Sequence, residues 1–213
     1  MARKIDIRKV KTLWISMEKD NANSKAAETL LSEHKFENTG WTKGIRITSD
    51  NQAWLDEVRW GGKRSHYYGV ALAHKNVLSE NLNSEPLIVL EDDVDIEENS
   101  NFELEVPDDT DAVWLGLSHA GMPKYDKINE TISRLHHMLS VHAVLYLTER
   151  YKKHVIEQVD YCLLSKDMPF DVGLYHNQTN FNVYVMNKPI FYQSDKKNSA
   201  NKWEHLTRKP LYG

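Results

Sequence analysis

Acidic residues crowd the stretch 84–99, which reads SEPLIVLEDDVDIEEN. Its four apolar residues LIVL lead directly into Glu91, Asp92 and Asp93. In an extended chain, residues two apart point to the same face, so Glu91 and Asp93 should lie together and Asp92 opposite. Two carboxylates on one face suit a hard cation such as Mg²⁺ or Mn²⁺, with water and phosphate oxygens as further ligands. We therefore predict a metal site at Glu91 and Asp93, with Asp95 as a further ligand.

A buried strand would aim these carboxylates. The run at 86–90 is continuously apolar, as in strands that are covered on both faces. Further strands are predicted at 10–16, 44–49, 111–118, 141–148 and 181–195, and helices at 21–34, 65–82 and 149–164. Strands that alternate with helices predict an α/β fold with a mostly parallel central sheet flanked by helices. Ligands of such sheets bind beyond the carboxyl ends of the strands, where the acidic residues lie.

The composition is that of an ordinary globular chain. The 213 residues are 40% hydrophobic and 27% charged, which predicts a single domain over 1–195 followed by a basic tail over 196–213. No apolar run approaches the roughly 18 residues that span a bilayer, and the N-terminus lacks the apolar core of a signal peptide. The single cysteine, Cys162, excludes an internal disulfide framework. We expect a cytoplasmic protein, in the host cytoplasm if the source is viral.

Charge is unevenly distributed along the chain. Residues 76–123 contain 13 acidic residues and no Lys or Arg, whereas 1–75 carry a formal +5 and 124–213 a formal +4. The acidic centre is either a solvated surface or a zone where a cation meets anionic phosphates. Residues 59–64, RWGGKR, combine basic side chains with two glycines. They form either a phosphate-binding loop, with Arg64 as the contact, or a solvated turn, and they do not match the P-loop pattern.

The stretch LIVLEDDV resembles the acidic motif of GT-A glycosyltransferases, in which a strand ends in a D-x-D or E-x-D metal-binding element. Other segments resemble family 25, the lipooligosaccharide and collagen-type sugar transferases: VKTLWISMEKD, YYGVALAHKNVL, SVHAVLYLTERYKKHVIE, MPFDVGLY and KPIFYQSD. The residues at family positions are Gly69, His74, His142, Ala143, Asp171 and Gln193, while Ala73 stands where the family commonly has Ser. The resemblance covers residues 10 to about 195.

This resemblance implies a GT-A, Rossmann-like fold and a metal-dependent reaction. A sugar would move from a nucleotide-diphosphate sugar, usually UDP-linked, to an acceptor hydroxyl. A carboxylate must take the proton of that hydroxyl, and Asp171 is the candidate, although an Asp after a Pro could equally cap a turn. A third metal ligand could come from Asp195 or His176.

Residues at the ends of the first two predicted strands lie where a nucleotide should bind. Ser16, Thr48 and Asp50 could hydrogen-bond ribose or uracil, and Trp14 could stack on the base. Asp92 could bond the nucleotide or the turn. Each of these side chains could instead be ordinary polarity at the end of a strand.

The acceptor and two competing functions stay open at this point. The acceptor is either a surface glycan or a hydroxymethylated base in viral DNA. The basic flanks favour a polyanion, whereas the net charge of −4 argues against one. A metal-dependent phosphohydrolase or nucleotidyltransferase would need more acids from a separate strand, but Asp108, Asp109 and Asp111 precede a strand rather than end one. A catalytically silent nucleotide-sugar-binding protein is the remaining alternative.

Overall fold

The computed structural model describes residues 2–47, 58–59, 62–83, 86–166, 168–197 and 202–212, and it contains both strands and helices. The strands there are β1 (Ala2–Asp6), β2 (Lys11–Ser16), β3 (Thr39–Lys43), β4 (Val58–Arg59), β5 (Gly62–Lys63), β6 (Leu87–Glu91), β7 (Val94–Ile96), β8 (Glu103–Pro107), β9 (Ala112–Trp114), β10 (Lys124–Lys127), β11 (Ile132–His137), β12 (Ala143–Tyr146), β13 (Val183–Met186) and β14 (Phe191–Gln193). The α-helices are α1 (Ala22–Glu33), α2 (Arg64–Glu80), α3 (Glu149–Tyr161), α4 (Phe170–Asn177) and α5 (Glu204–Thr207).

Eight strands form one central sheet in the order β10-β11-β13-β9-β12-β6-β2-β3. The pairs β13–β9, β6–β2 and β2–β3 are parallel, and the other neighbouring pairs are antiparallel. The predicted α/β class is confirmed. The sheet is nevertheless mixed rather than mostly parallel. Parallel neighbours need a long crossover, usually a helix, whereas the chain between β9 and β12 forms the β10–β11 hairpin and contains no α-helix.

Strand β6 lies at the middle of the core and is covered on both faces. Leu87 and Val89 pack into one apolar cluster together with residues of α2 and α3. Ile88 and Leu90 point the other way and pack with residues of α1. This alternation is the two-residue period of a strand, and it explains why the run contains no polar residue before Glu91. The rigid strand therefore delivers Glu91 to one edge of the sheet.

Some predicted elements differ from the observed ones. The strand predicted at 44–49 is wrong for its described part, because β3 lies at Thr39–Lys43 and pairs with β2, while 44–47 have no regular structure. No strand or helix was predicted between residues 119 and 140, where the structure has the β10–β11 hairpin. The stretch around Asp171 forms helix α4.

The C-terminal segment packs on the domain over residues 202–212. Leu211 is 8% exposed and belongs to the same apolar cluster as Val89. Its backbone N–H donates to the Asn187 carbonyl at 2.9 Å, and the Tyr125 hydroxyl donates to the Leu211 carbonyl at 3.0 Å. This part of the predicted basic tail is therefore held by the core.

Candidate active site at the edge of the sheet

Polar residues from several elements meet where β2 and β6 end. Ser16 is the last residue of β2 and Glu91 the last of β6, and the two strands are parallel neighbours. Strand β12 runs the opposite way, so the residues that precede it reach the same edge. The Glu91 backbone N–H donates to the His142 carbonyl at 2.9 Å, which joins the two chain segments there.

The two predicted metal ligands, Glu91 and Asp93, are brought together by Gln193. The Gln193 side-chain N–H₂ group donates to Asp93 Oδ2 at 3.1 Å and lies 3.5 Å from Glu91 Oε2. Strand β14 places Gln193 because it pairs with β7 directly after the acidic turn, with Gln193 opposite Val94. One amide therefore contacts both carboxylates, although Asp93 lies in a turn and not in the extended chain on which the prediction was based.

Histidines set the charge state of Glu91. Burial by itself raises the pKa of Glu91, but the neighbouring His74, with smaller effects of His142 and His66, brings it below its ordinary value. Nε2 of the buried His74 lies 3.5 Å from Glu91 Oε1, an ion-pair distance rather than a short hydrogen bond. Glu91 is consequently an ionised carboxylate at neutral pH.

Asp92 makes different contacts from its two acidic neighbours. Its Oδ2 accepts a hydrogen bond from the Ser16 hydroxyl at 2.5 Å, and that hydroxyl accepts one from the Asn21 amide at 2.8 Å. Burial raises the pKa of Asp92, the Ser16 bond lowers it, and the charge of Glu91 raises it again. The structure thus joins Ser16 and Asp92, while their predicted nucleotide contacts stay predictions.

Asp95 is not part of the pair bridged by Gln193. It lies on β7 opposite Tyr192, and its Oδ1 is 3.4 Å from Lys197 Nζ. Across the described ranges, no three His, Cys, Asp or Glu side chains are grouped closely enough to hold a metal ion. A cation at Glu91 and Asp93 would therefore take its other ligands from water or from the phosphates of a substrate, as Mg²⁺ commonly does.

The two other suggested ligands, Asp195 and His176, have surroundings of their own. Asp195 Oδ1 accepts from the Glu204 backbone N–H at 3.0 Å, and the Asp195 N–H donates to Glu204 Oε2 at 3.2 Å. These reciprocal bonds hold the start of α5. His176 is exposed on α4.

Asp171 lies in the first turn of α4 and is half-buried. Its Oδ2 accepts a hydrogen bond from the Ser140 backbone N–H at 3.0 Å. Burial raises the pKa of Asp171, the Ser140 bond opposes this, and the negative charge of Glu91 adds to the increase. The last effect places Asp171 within electrostatic reach of the carboxylate pair.

Ser140 and His142 are parts of this edge to which the sequence assigned no role. The Ser140 hydroxyl and His142 Nδ1 are hydrogen-bonded at 2.6 Å. Burial lowers the pKa of His142 to about 4, so its imidazole is neutral at pH 7. The resemblance marked the position of His142, but nothing in the sequence pointed to Ser140.

Four predicted nucleotide contacts remain to be placed: Trp14, Thr48, Asp50 and Arg64. Trp14 as a stacking residue is wrong, because its ring is 3% exposed in the core and its Nε1 donates to the Ser24 hydroxyl at 2.8 Å. Thr48 and Asp50 lie outside the described residues. Arg64 is the buried first residue of α2, and its contact with phosphate stays a prediction.

Comparison with known proteins gives two distant structural likenesses. A glycosyltransferase involved in the glycosylation of the major capsid of PBCV-1 aligns with 83% of this chain and 80% of its own, at 8% identity and a TM-score of 0.44. The protein A197 from STIV aligns with 86% of this chain and 84% of its own, at 12% identity and a TM-score of 0.42. Both TM-scores are below 0.5, so neither likeness carries an argument about function.

Sequence comparison leaves the family open. No protein-family model matches the chain, and no curated protein matches it. The resemblance to family 25 and the expected cytoplasmic location therefore stay predictions. No helix in the described part of the chain is both long and apolar enough to cross a membrane.

Proposed function

We propose that this protein is a metal-dependent glycosyltransferase that moves a sugar from a nucleotide-diphosphate sugar, with UDP as the nucleotide, to an acceptor hydroxyl. One observation carries the proposal. The Glu91–Asp93 pair, bridged by Gln193, lies at the carboxyl end of β6, and hydrogen bonds through His142 and Ser140 connect Glu91 to Asp171. A carboxylate pair for a cation and a separate carboxylate for a proton are the two parts that such a reaction needs.

The carboxylate pair fits a divalent cation bound together with a diphosphate. Glu91 is held ionised beside His74. Asp93 lies two residues after Glu91, in the turn that follows β6, and is 7% exposed. Mg²⁺ or Mn²⁺ bound there would neutralise charge on the departing nucleotide diphosphate. Gln193 would have to release the two carboxylates or share them with the cation.

Asp171 is suited to take the proton of the acceptor hydroxyl. A raised pKa makes its carboxylate a stronger base than a solvated aspartate, and a general base works best when its pKa approaches the working pH. The Ser140 N–H donates to Oδ2 of this carboxylate at 3.0 Å, which fixes one of its oxygens in the fold.

The competing phosphohydrolase or nucleotidyltransferase is less well supported. Its additional acids would have to come from the stretch 108–111, yet Asp111 is 1% exposed and accepts hydrogen bonds from Arg150, Thr148 and Asn182. Asp109 accepts from the Asn182 side chain at 2.8 Å. These carboxylates hold the opposite ends of the strands together.

The acceptor remains either a surface glycan or a hydroxymethylated DNA base, and product analysis with both acceptors distinguishes them.

Donor turnover tests the proposal. The protein is incubated with a panel of UDP-sugars and Mn²⁺, and release of UDP is measured with and without an acceptor. We expect Glu91→Gln and Asp93→Asn each to abolish turnover, and Asp171→Asn to abolish transfer. Glu98→Gln is the matched control, because Glu98 belongs to the same acidic stretch but is exposed. Turnover that survives in Glu91→Gln and Asp93→Asn would overturn the proposal.

A further inference from the structure

Ser140 adopts a backbone conformation that its side chain disfavours. Its φ is +77°, in the left-handed region that residues other than glycine rarely enter. Such a conformation persists only where the surrounding structure determines it, and it is typical of functional sites. The contacts that hold Ser140 are therefore the place to look for its purpose.

Each polar group of Ser140 has a partner on a different element. Its N–H donates to Asp171 Oδ2 in α4 at 3.0 Å. Its hydroxyl is hydrogen-bonded to His142 Nδ1 at 2.6 Å, and its carbonyl accepts from Trp114 Nε1 in β9 at 2.9 Å. The last two bonds fix the direction in which the N–H points, and the left-handed φ is the consequence.

His142 is an immobile anchor for this arrangement. It is 2% exposed, and its ring packs so closely on Gly116 that a Cβ there would lie 2.1 Å from Nε2. Its carbonyl accepts the Glu91 N–H at 2.9 Å. A chain of direct contacts thus runs from Glu91 through His142 and Ser140 to Asp171.

We propose that Ser140 is a positioning residue, which holds the Asp171 carboxylate at a fixed place relative to the Glu91–Asp93 pair. This inference rests on the proposed function, because the separation matters only if Asp171 and the pair act on one substrate. Ser140 itself touches no reacting atom. Its hydroxyl ties the backbone to His142, and its N–H holds Oδ2 of Asp171.

The variant Ser140→Gly tests this role. Glycine keeps the N–H and accepts the left-handed φ without strain, so the variant loses only the bond to His142. We expect kcat to fall about tenfold or more, because small misplacements of a catalytic group cost that much, with the KM for the donor within about twofold of wild type. Asn99→Gly is the matched control, since Asn99 has a φ of +61° but is exposed outside the site. Ser140→Gly with the kcat of wild type would refute the positioning role.

A second measurement does not depend on activity. Hydrogen exchange of the residue 140 amide is compared in wild type and Asp171→Ala, where the acceptor of its N–H is missing. We expect at least tenfold faster exchange in Asp171→Ala, and the same rate in both proteins would overturn the inference. If wild type turns over no nucleotide sugar, the proposed function fails and the positioning of a catalytic base fails with it. Turnover in wild type together with unchanged kcat in Ser140→Gly rejects the positioning role alone.

Discussion

Replacement of Gly116 by alanine is expected to displace the buried His142 ring at the edge of the site and to destabilise the fold. The added methyl group would lie 2.1 Å from Nε2 of His142, where ordinary contact begins at 3.4 Å. The imidazole cannot turn away easily, because it is buried and its Nδ1 is hydrogen-bonded to Ser140 at 2.6 Å. Overpacking of this kind costs about 1–3 kcal/mol, and loss of the Ser140 bond adds about 1 kcal/mol. We therefore expect Gly116→Ala to lower the free energy of unfolding by about 2–4 kcal/mol.

Urea denaturation followed by circular dichroism measures this difference. Gly40→Ala in β3 is the matched control, because its methyl would meet only the flexible Leu13 Cδ2 at 3.1 Å. We expect that control to stay within about 1 kcal/mol of wild type. The double variant Gly116→Ala/His142→Ala removes the clash, so its loss should be smaller than the sum of the two single losses. Equal stability of Gly116→Ala and Gly40→Ala would refute the placement of His142.

Three further predictions concern stability and binding. Burial raises the pKa of Asp111, but the hydrogen bond from Arg150 and others bring it below its ordinary value. The ionised Asp111 carboxylate therefore stabilises the fold above about pH 4, and this stabilisation is lost as the pH falls through the folded pKa. Asp111→Asn should lower the free energy of unfolding by about 3 kcal/mol at pH 7. In urea denaturation between pH 7 and pH 2.5, the free energy of unfolding of the variant should fall less steeply with acid than that of wild type. Trp14→Phe removes the donor to Ser24 and should lower the stability in thermal denaturation by about 1 kcal/mol. The Kd for UDP in calorimetry should be unchanged, and weaker binding of UDP would restore the stacking role. Leu211→Ala should lower the unfolding free energy by about 2–3 kcal/mol in urea, whereas no loss would contradict its place in the core.

Local patterns in the sequence predicted the elements with strong signals. The apolar run that ends at Glu91 is β6, and the helices predicted at 21–34 and 149–164 match α1 and α3 closely. The strand predicted at 44–49 was wrong because β3 is chosen by its pairing with β2 rather than by its own composition, which includes Gly40. Whether neighbouring strands run parallel or antiparallel is likewise decided by the segments that connect them. The mixed sheet could therefore not be predicted from the individual strand sequences.

Site residues could be predicted to act together only where they lie close to one another in the sequence. Glu91 and Asp93 are two residues apart and both contact the Gln193 amide, although Asp93 lies in the turn after β6 and not in an extended strand. Ser140 and Asp171 are 31 positions apart in the sequence, so their hydrogen bond could not be predicted from local spacing. It also depends on a left-handed backbone conformation at Ser140, which a serine in the sequence does not indicate. Trp14 was misassigned because alternation along a strand does not tell which face of the sheet meets a helix.

Binding of Mn²⁺ tests the central claim most directly. Electron paramagnetic resonance counts free Mn²⁺ in a titration of the protein with and without UDP. We predict one Mn²⁺ site in wild type and in Glu98→Gln that tightens with UDP, and at least tenfold weaker binding in Glu91→Gln/Asp93→Asn. Equal affinity of wild type and the double variant for Mn²⁺ in the presence of UDP would contradict the account.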